Sequence, residues 1–238
     1  MRARLDIALF DRGLTDSREK AKRLILAGAV RINGQVAGKP SDMVADDAVL
    51  TVAAAEKYVS RGGHKLEAAL DAFHIDCDGK TCADLGASTG GFTDCLLQRG
   101  AAVIHAVDVG KGQLAWKLRQ DKRVLIHDEV NARSYTGELV DIVTIDVSFI
   151  SLTKVLPAAA QLLRPGGHLV ALIKPQFEAG RRDVGKGGVV RDPVVHERVQ
   201  SEVKEFGLGL GLRLLGIVES PILGPAGNKE FLIGFQKP

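Results

Sequence analysis

Thr81-Cys82-Ala83-Asp84-Leu85-Gly86-Ala87-Ser88-Thr89-Gly90-Gly91-Phe92-Thr93-Asp94 runs from a short apolar segment through a loop of small residues into an amphipathic segment. That order predicts a strand, a tight turn and a helix. Gly86, Gly90 and Gly91 carry no Cβ, so the turn can take positive φ and bring the amides of Gly86, Ala87, Ser88, Thr89, Gly90, Gly91 and Phe92 close to a ligand at the helix N-terminus. A dinucleotide fits poorly. Its three-glycine fingerprint needs the second glycine where this chain has Ser88, which leaves less room for a pyrophosphate. Asp84, towards the strand's end, offers a carboxylate to a cationic or hydroxyl-bearing ligand.

Outward from this stretch the pattern alternates as strand and helix. Residues 102–107 read as a buried strand ending in Asp108, eighteen positions after Gly90, where an acid can bridge ribose hydroxyls, with Val109 beside it. Val124-Leu125-Ile126 leads to Asp128, within reach of an adenine amino group. Residues 141–146 end in Asp146, and residues 168–174 end in Lys174. Four acids and a lysine thus gather at strand C-termini, the edge of an open parallel sheet where ligands bind. S-adenosylmethionine, with its ammonium, sulfonium and ribose, matches such acids. A helix is expected from about residue 194 to 206, and the last strands, 212–219 and 231–235, are joined too briefly for a helical crossover and should be antiparallel. The fold class is α/β, a Rossmann-like and mostly parallel sheet with an antiparallel last strand, preceded by a small α+β domain.

The N-terminal region has its own logic. Leu5, Ala8 and Leu9 recur at helical spacing up to Gly13, and Ser17 can cap a second helix over residues 18–27, with Ala21, Leu24 and Ile25 on its apolar face. Asn33-Gly34 between two alternating runs is a two-residue hairpin signal, and a further strand is expected over 48–52. Residues 1–40 hold nine Lys/Arg against four Asp/Glu, an excess of +5 in a chain whose net charge is +3, which points to a polyanion contact there. Arg4, Arg18, Lys20, Lys22, Arg23 and Arg31 are the candidates. Four charges on one helix are also what an ordinary wet face carries. The expected boundaries are a first domain over 1–55, a linker over 56–59 and a second domain over 60–238.

A helix should begin near Ser60, with Leu66, Ala69, Leu70 and Phe73 on one face. Lys65 lies off that stripe in the first turn, where the helix dipole disfavours a cation, which points to another reason for its presence, although a solvated lysine is the ordinary expectation from spacing alone. Residues 175–192 are too rich in glycine and cations for a packed element and read as a lid or RNA clamp, with Arg181, Arg182 and Lys186 joining Arg61 as phosphate contacts. With 45% hydrophobic and 26% charged residues the composition is that of an ordinary globular protein. No run approaches the roughly 18 apolar residues of a membrane span and no apolar signal core follows Met1, so a cytoplasmic protein is expected. Three cysteines without a C-x-x-C pair support neither a disulfide framework nor a metal site, and no metal is expected.

Two resemblances rest on these stretches. Residues 1–55, through Leu5, Leu9, Ser17-Arg18, Ala21, Ile25, Gly28, Val30, Asn33-Gly34 and Val36, resemble the RNA-binding domain first seen in ribosomal small-subunit protein four. Residues 60–67, 84–94, 145–152, 173–180 and 220–231 make nearly the whole chain similar to the TlyA family, often labelled hemolysins, which joins that domain to an FtsJ-like 2′-O-methyltransferase domain. At Asp128 the chain departs from the glutamate expected in the family.

The resemblance implies S-adenosylmethionine as cofactor, ribosomal RNA or ribosomal subunits as partner, a cytidine ribose as target, and a tetrad formed by Lys65, Asp146, Lys174 and Glu230. A ribose 2′-hydroxyl is a weak nucleophile and must lose its proton as the methyl arrives. An ordinary lysine, with a pKa of about 10.4, is a poor base at neutral pH, and a neighbouring ammonium, here Lys65 beside Lys174, would improve it. Asp146 and Glu230 would orient the amines. Methylation of a base amino group is disfavoured, since those enzymes carry a proline- and aromatic-rich tetrapeptide where this chain has Asp146-Val147-Ser148-Phe149. A pore-forming hemolysin would need a long membrane-active segment, which the sequence lacks. An inactive assembly factor is the third reading, and four filled tetrad positions speak against it.

Overall fold

The computed structural model describes residues 2–53 and 56–238, so the boundary expected at residue 55 falls on Ala54 and Ala55, outside the described residues. The chain forms two compact units, the first ending at Lys57 and the second beginning at Tyr58.

In the first unit β1 (Arg2–Arg4) runs into α1 (Leu5–Asp11), followed by α2 (Arg18–Leu26), β2 (Val30–Ile32), β3 (Gln35–Val36), β4 (Met43–Ala45) and β5 (Leu50–Val52). Ser17 caps α2 by accepting from the Lys20 amide at 3.2 Å, an arrangement whose loss typically costs about 1 kcal/mol. Asn33 (φ 50°) and Gly34 (φ 84°) turn the β2–β3 hairpin in the left-handed conformation such a turn requires. Leu5, Leu9, Ala21, Ile25, Val30, Val44 and Leu50 form the core. The pairing of β1 with β4 escaped the sequence reading, because three-residue strands are too short to show alternation. So did the buried acid Asp6, which accepts from Arg4 at 3.0 and 3.1 Å and lies 3.6 Å from Arg18. The Arg4 hydrogen bonds hold its carboxyl below the usual range, against the effect of burial.

The second unit contains α3 (Gly62–Ala72), β6 (Thr81–Leu85), α4 (Gly91–Gln98), β7 (Val103–Val107), α5 (Trp116–Arg119), β8 (Val124–His127), β9 (Val140–Ile145), α6 (Leu156–Leu162), β10 (Leu163–Ile173), α7 (Pro175–Glu178), α8 (Pro193–Gly209), β11 (Arg213–Glu219) and β12 (Phe231–Gln236). Its seven strands run in the order β11-β12-β10-β9-β6-β7-β8. β12 is antiparallel to both of its neighbours, and the pairs from β10 to β8 are parallel. Both faces are covered, because alternate residues of each strand feed opposite cores. On β9, Val143 and Ile145 pack with α6 and α8, while Ile142 packs with α3 and α4. Cys77, Cys82 and Cys95 are buried free thiols in the second of these cores, and burial raises the Cys77 thiol to about 11.

Two expectations need correction. Tyr58 and Val59 do not belong to a linker: Tyr58 is 2% exposed in the α3–α4 core, and the Val59 amide donates to Asp94 at 2.8 Å. A Cβ on Gly63 would stand 2.1 Å from the Tyr58 ring, so that glycine makes room for it. Residues 175–192 are not a free loop either. They open with the single turn α7, and Asn228 then fastens them, its Oδ1 accepting from the Val190 amide at 2.9 Å and its Nδ2 donating to the Gly188 carbonyl at 2.9 Å.

Candidate active site

The strand order reverses beside β6, whose neighbours β7 and β9 carry the chain off in opposite directions, and this is where an open parallel sheet splays into a crevice. Gly86 opens the loop after β6 with φ 89°, and a Cβ there would lie 2.5 Å from the Asp146 carbonyl oxygen. The glycine lets the ends of β6 and β9 close together. Gly90 and Gly91 serve packing more than ligand approach. A Cβ on Gly90 would meet Leu118 at 2.2 Å, and one on Gly91 would meet Ser60 Oγ at 2.2 Å.

Three cavities meet at the sheet edge. The first, about 210 Å³, is lined by Arg61, Lys65, Gly86, Ala87, Ser88, Thr89, Gly91, Phe92 and Asp146. The second, about 590 Å³, runs along Ser88, Asp108, Val109, Gln113 and Val130 to Arg133. The third, about 550 Å³, holds Lys65, Asp146, Lys174, Gln176, Phe177 and Glu230. Asp146 lines all three.

Asp108 stands just past β7 and is fixed by its two oxygens, Oδ2 accepting from the Ser88 amide at 2.8 Å and Oδ1 from the Gly110 amide at 2.7 Å. Each oxygen keeps a lone pair for a ligand hydroxyl. Asp128 is the counter-example. Its Oδ2 accepts from the Gly112 amide at 3.1 Å and from Arg119 at 3.4 Å, and it lines none of these cavities, so its position lends the expected adenine contact no support. Val130, Asn131, Ala132 and Arg133 occupy that end of the crevice instead.

Asp84 is also corrected. It is fully buried and accepts from Thr93 Oγ1 at 2.7 Å and Thr144 Oγ1 at 3.0 Å, tying β6 to α4 and β9 beneath the loop. Burial pushes its carboxyl up to about 7 despite these two donors. Because the folded value lies above the ordinary 3.8, the folded state holds the proton more tightly than the unfolded chain, and stability falls as pH rises from about 4 to about 7. Asp84→Asn should flatten that part of the profile relative to wild type. Urea midpoints at several pH values check this, and parallel profiles would contradict it.

The tetrad residues come together. Lys174 Nζ lies 2.7 Å from Asp146 Oδ1 as an ion pair and donates its hydrogen bond to Ser148 Oγ at 2.9 Å. Lys65 is 7% exposed, not solvated, and pairs with the equally buried Glu230. Each lysine therefore has its own carboxylate, and Lys65 shares the third cavity with Lys174 as half of a compensated pair. Glu230 Oε1 has no donor, and neither has the buried Gln176 Oε1. Sequence reasoning missed Ser148 and Phe149. Phe149 is 90% exposed, stands in the left-handed region at φ 64°, and lies 5.1 Å from Phe177 between the second and third cavities. A phenylalanine held there costs on the order of 1–3 kcal/mol, and such strain concentrates at functional sites.

Of the cationic candidates, Arg61 lines the first cavity, and Arg181, Arg182 and Lys186 are exposed. In the first unit Lys20 pairs with Asp16, Lys22 with Glu19, and Arg4 and Arg18 share Asp6 while remaining about half exposed. Among the described residues no group of His, Cys, Asp or Glu is arranged to hold a metal ion, and no helix is long and apolar enough to cross a membrane.

Strand order and crevice place the second unit among the Rossmann-like methyltransferases. The FtsJ-like methyltransferase family model matches residues 58–237, and the chain belongs to that family. The S4 domain model matches residues 3–50. The chain is 49% identical over 238 residues to the 16S/23S rRNA (cytidine-2′-O)-methyltransferase TlyA of Mycobacterium tuberculosis, covering 98% of this chain and 89% of that one. It is 42% identical over 237 residues to Hemolysin A of Brachyspira hyodysenteriae, covering 98% and 99%. A solved protein of Streptococcus thermophilus that carries a hemolysin label shares 45% identity and a TM-score of 0.75, covering 99% and 88%.

Proposed function

We propose that this methyltransferase transfers a methyl group from S-adenosylmethionine to the ribose 2′-oxygen of a cytidine in ribosomal RNA. The observation that carries this reading is the position of Asp146, which lines all three cavities and pairs with Lys174 where they meet.

The crevice suits the cofactor chemically. Asp108 offers two anchored oxygens to ribose hydroxyls, Val109, Val130 and Ala132 give an apolar seat for a flat base, and Asp146 faces the junction where a positive sulfonium is favoured. When bound, S-adenosylmethionine supplies a methyl group activated by that sulfonium, so the protein need only align and deprotonate the acceptor. Asp108→Ala should weaken cofactor binding by about 1–3 kcal/mol, since charge-assisted bonds to ribose are lost. Calorimetry reads this directly, and an unchanged affinity would remove Asp108 from the cofactor site.

In the third cavity Lys174 and Asp146 flank the place for a ribose hydroxyl. Lys174 Nζ takes the hydroxyl proton once it has given up its own, Asp146 holds the amine in line, and the Lys65–Glu230 pair frames the sugar, with the free Glu230 oxygen as an acceptor. Phe149 offers an exposed face on which a base drawn out of its stack can rest. The first unit, with its S4 match and its basic helix, is the docking element for RNA phosphates through Arg18, Lys20, Lys22, Arg23 and Arg31, with Arg4 at its edge.

Incubating ribosomal subunits that lack the modification with tritiated S-adenosylmethionine tests the reading. Label should enter ribosomal RNA with wild-type protein and not with Asp146→Ala. Wild-type protein that leaves ribosomal RNA unlabelled, free or in subunits, would overturn it.

A further inference from the structure

A fourth cavity, about 260 Å³, adjoins the third across Ala226, which lines both. Its wall carries Arg191, Lys229 and His196, and no carboxylate lines it. Asp192, the nearest acid in sequence to Arg191, is turned to cap α8, accepting from the Val194 amide at 2.9 Å. Glu219 meets Lys229 at 3.2 Å, and both of those side chains are about half exposed. His196 is 7% exposed, and its Nε2 is 3.0 Å from the Val190 carbonyl oxygen, so that nitrogen carries the hydrogen and the ring is held in one orientation.

Charge says what this cavity is for. The third cavity contains two lysines and two carboxylates, and these are paired with each other, Lys65 with Glu230 and Lys174 with Asp146. It can receive a neutral nucleoside but has no cation left for a phosphate. A nucleotide within an RNA chain nevertheless brings a phosphodiester on each side of its ribose, each with a full negative charge. The adjoining cavity supplies Arg191 as the missing cation, and Lys229, whose pairing with Glu219 is open to solvent and weak, can add to it. Their backbones are also fixed relative to the tetrad, because Asn228, 1% exposed, fastens residues 188 and 190 to the segment that runs through Lys229 to Glu230.

We propose that the cavity bounded by Arg191, His196 and Lys229 binds the phosphodiester of the nucleotide next to the one being methylated. Arg191 presents a planar set of donors suited to two phosphate oxygens, and Lys229 adds a point charge. These two are positioning residues for the substrate chain. The inference rests on the reading of the third cavity as the site for a ribose in RNA.

The test uses full-length Arg191→Ala, Arg191→Lys and the double variant Arg191→Ala/Lys229→Ala, with ribosomal subunits and with free ribosomal RNA as substrate. The expected result for Arg191→Ala is a KM for RNA raised roughly tenfold, as the loss of one charged hydrogen-bonding contact implies. In the same variant kcat stays within about twofold, cofactor affinity is unchanged, and the slope of log affinity against log salt becomes shallower by about 0.7 to 0.9 per lost contact. The double variant loses about twice as much slope, and Arg191→Lys recovers most of it. A merely structural role would lower kcat or thermal stability and leave the slope alone. Wild-type activity on ribosomal RNA with unchanged KM and slope in the variants overturns the phosphate site alone. Absence of wild-type transfer to ribosomal RNA overturns the functional reading and this inference with it.

Discussion

Lys174→Arg should abolish methyl transfer while leaving cofactor binding intact. The wild-type lysine side chain is 12% exposed, and its ammonium lies 2.7 Å from Asp146 and donates to Ser148, so a cation of similar reach keeps the charge balance of the junction. Arginine cannot be deprotonated in a protein, and it therefore cannot accept the hydroxyl proton. Loss of a general base typically costs about 10² to 10⁴ in rate, and the bulkier guanidinium adds to that by displacing the ribose. Single-turnover measurements with saturating RNA and cofactor isolate the step. A near-normal rate in Lys174→Arg would leave positioning alone as the contribution of this residue.

Glu230→Ala should be the most destabilising single change in the tetrad. Glu230 is 1% exposed and its partner Lys65 has a side chain only 8% exposed, so solvent cannot screen the ammonium that the substitution strands. Breaking a buried pair from one side costs about 3–5 kcal/mol, whereas replacing both partners with apolar groups of similar volume is often neutral. The double variant Lys65→Met/Glu230→Leu should therefore regain most of the stability lost in Glu230→Ala and still be inactive. Urea unfolding and methyl transfer measured on the same samples separate the two effects. A double variant as unstable as the single one would show that the pair matters to the fold through geometry and not through charge.

The contrast between Asp108, Asp146 and Asp84 shows what sequence could and could not say about the site. Reading carboxylates at strand ends identified all three, because a parallel sheet collects its strand C-termini along one edge. Asp108 and Asp146 follow the last residues of β7 and β9 and face the crevice, but Asp84 sits one residue inside β6, where the pleat turns it into the core between Thr93 and Thr144. A one-residue uncertainty in a strand boundary thus reverses a side chain's role. Asp128 differs in another way. It follows β8 as expected, yet Arg119 and the Gly112 amide both engage its Oδ2, and it lines none of the three cavities.

Lys65 looked solvated because helix periodicity places it off the stripe of Leu66, Ala69 and Leu70. Its burial is created by Glu230, a residue 165 positions away, and local spacing carries no trace of such a contact. Only the family resemblance pointed to the pair. Phe149 left a faint signal, as an aromatic directly after Asp146-Val147-Ser148, but its left-handed backbone and its exposure are properties of the folded loop. In the first unit the strong local signals, the Ser17 cap and the Asn33-Gly34 turn, were readable, whereas the non-local pairing of β1 with β4 was not.

The position of the transferred methyl group tests the central claim most directly. Alkaline cleavage of RNA requires a free 2′-hydroxyl to attack the neighbouring phosphate, so a nucleotide methylated on that oxygen is released as an alkali-resistant dinucleotide. Ribosomal RNA labelled by the wild-type protein from tritiated S-adenosylmethionine should, after alkaline hydrolysis, carry its tritium in resistant dinucleotides with cytidine on the 5′ side. Tritium recovered in mononucleotides would mean that a base, and not a ribose, had been methylated, and would contradict the role assigned to Lys174 and Asp146.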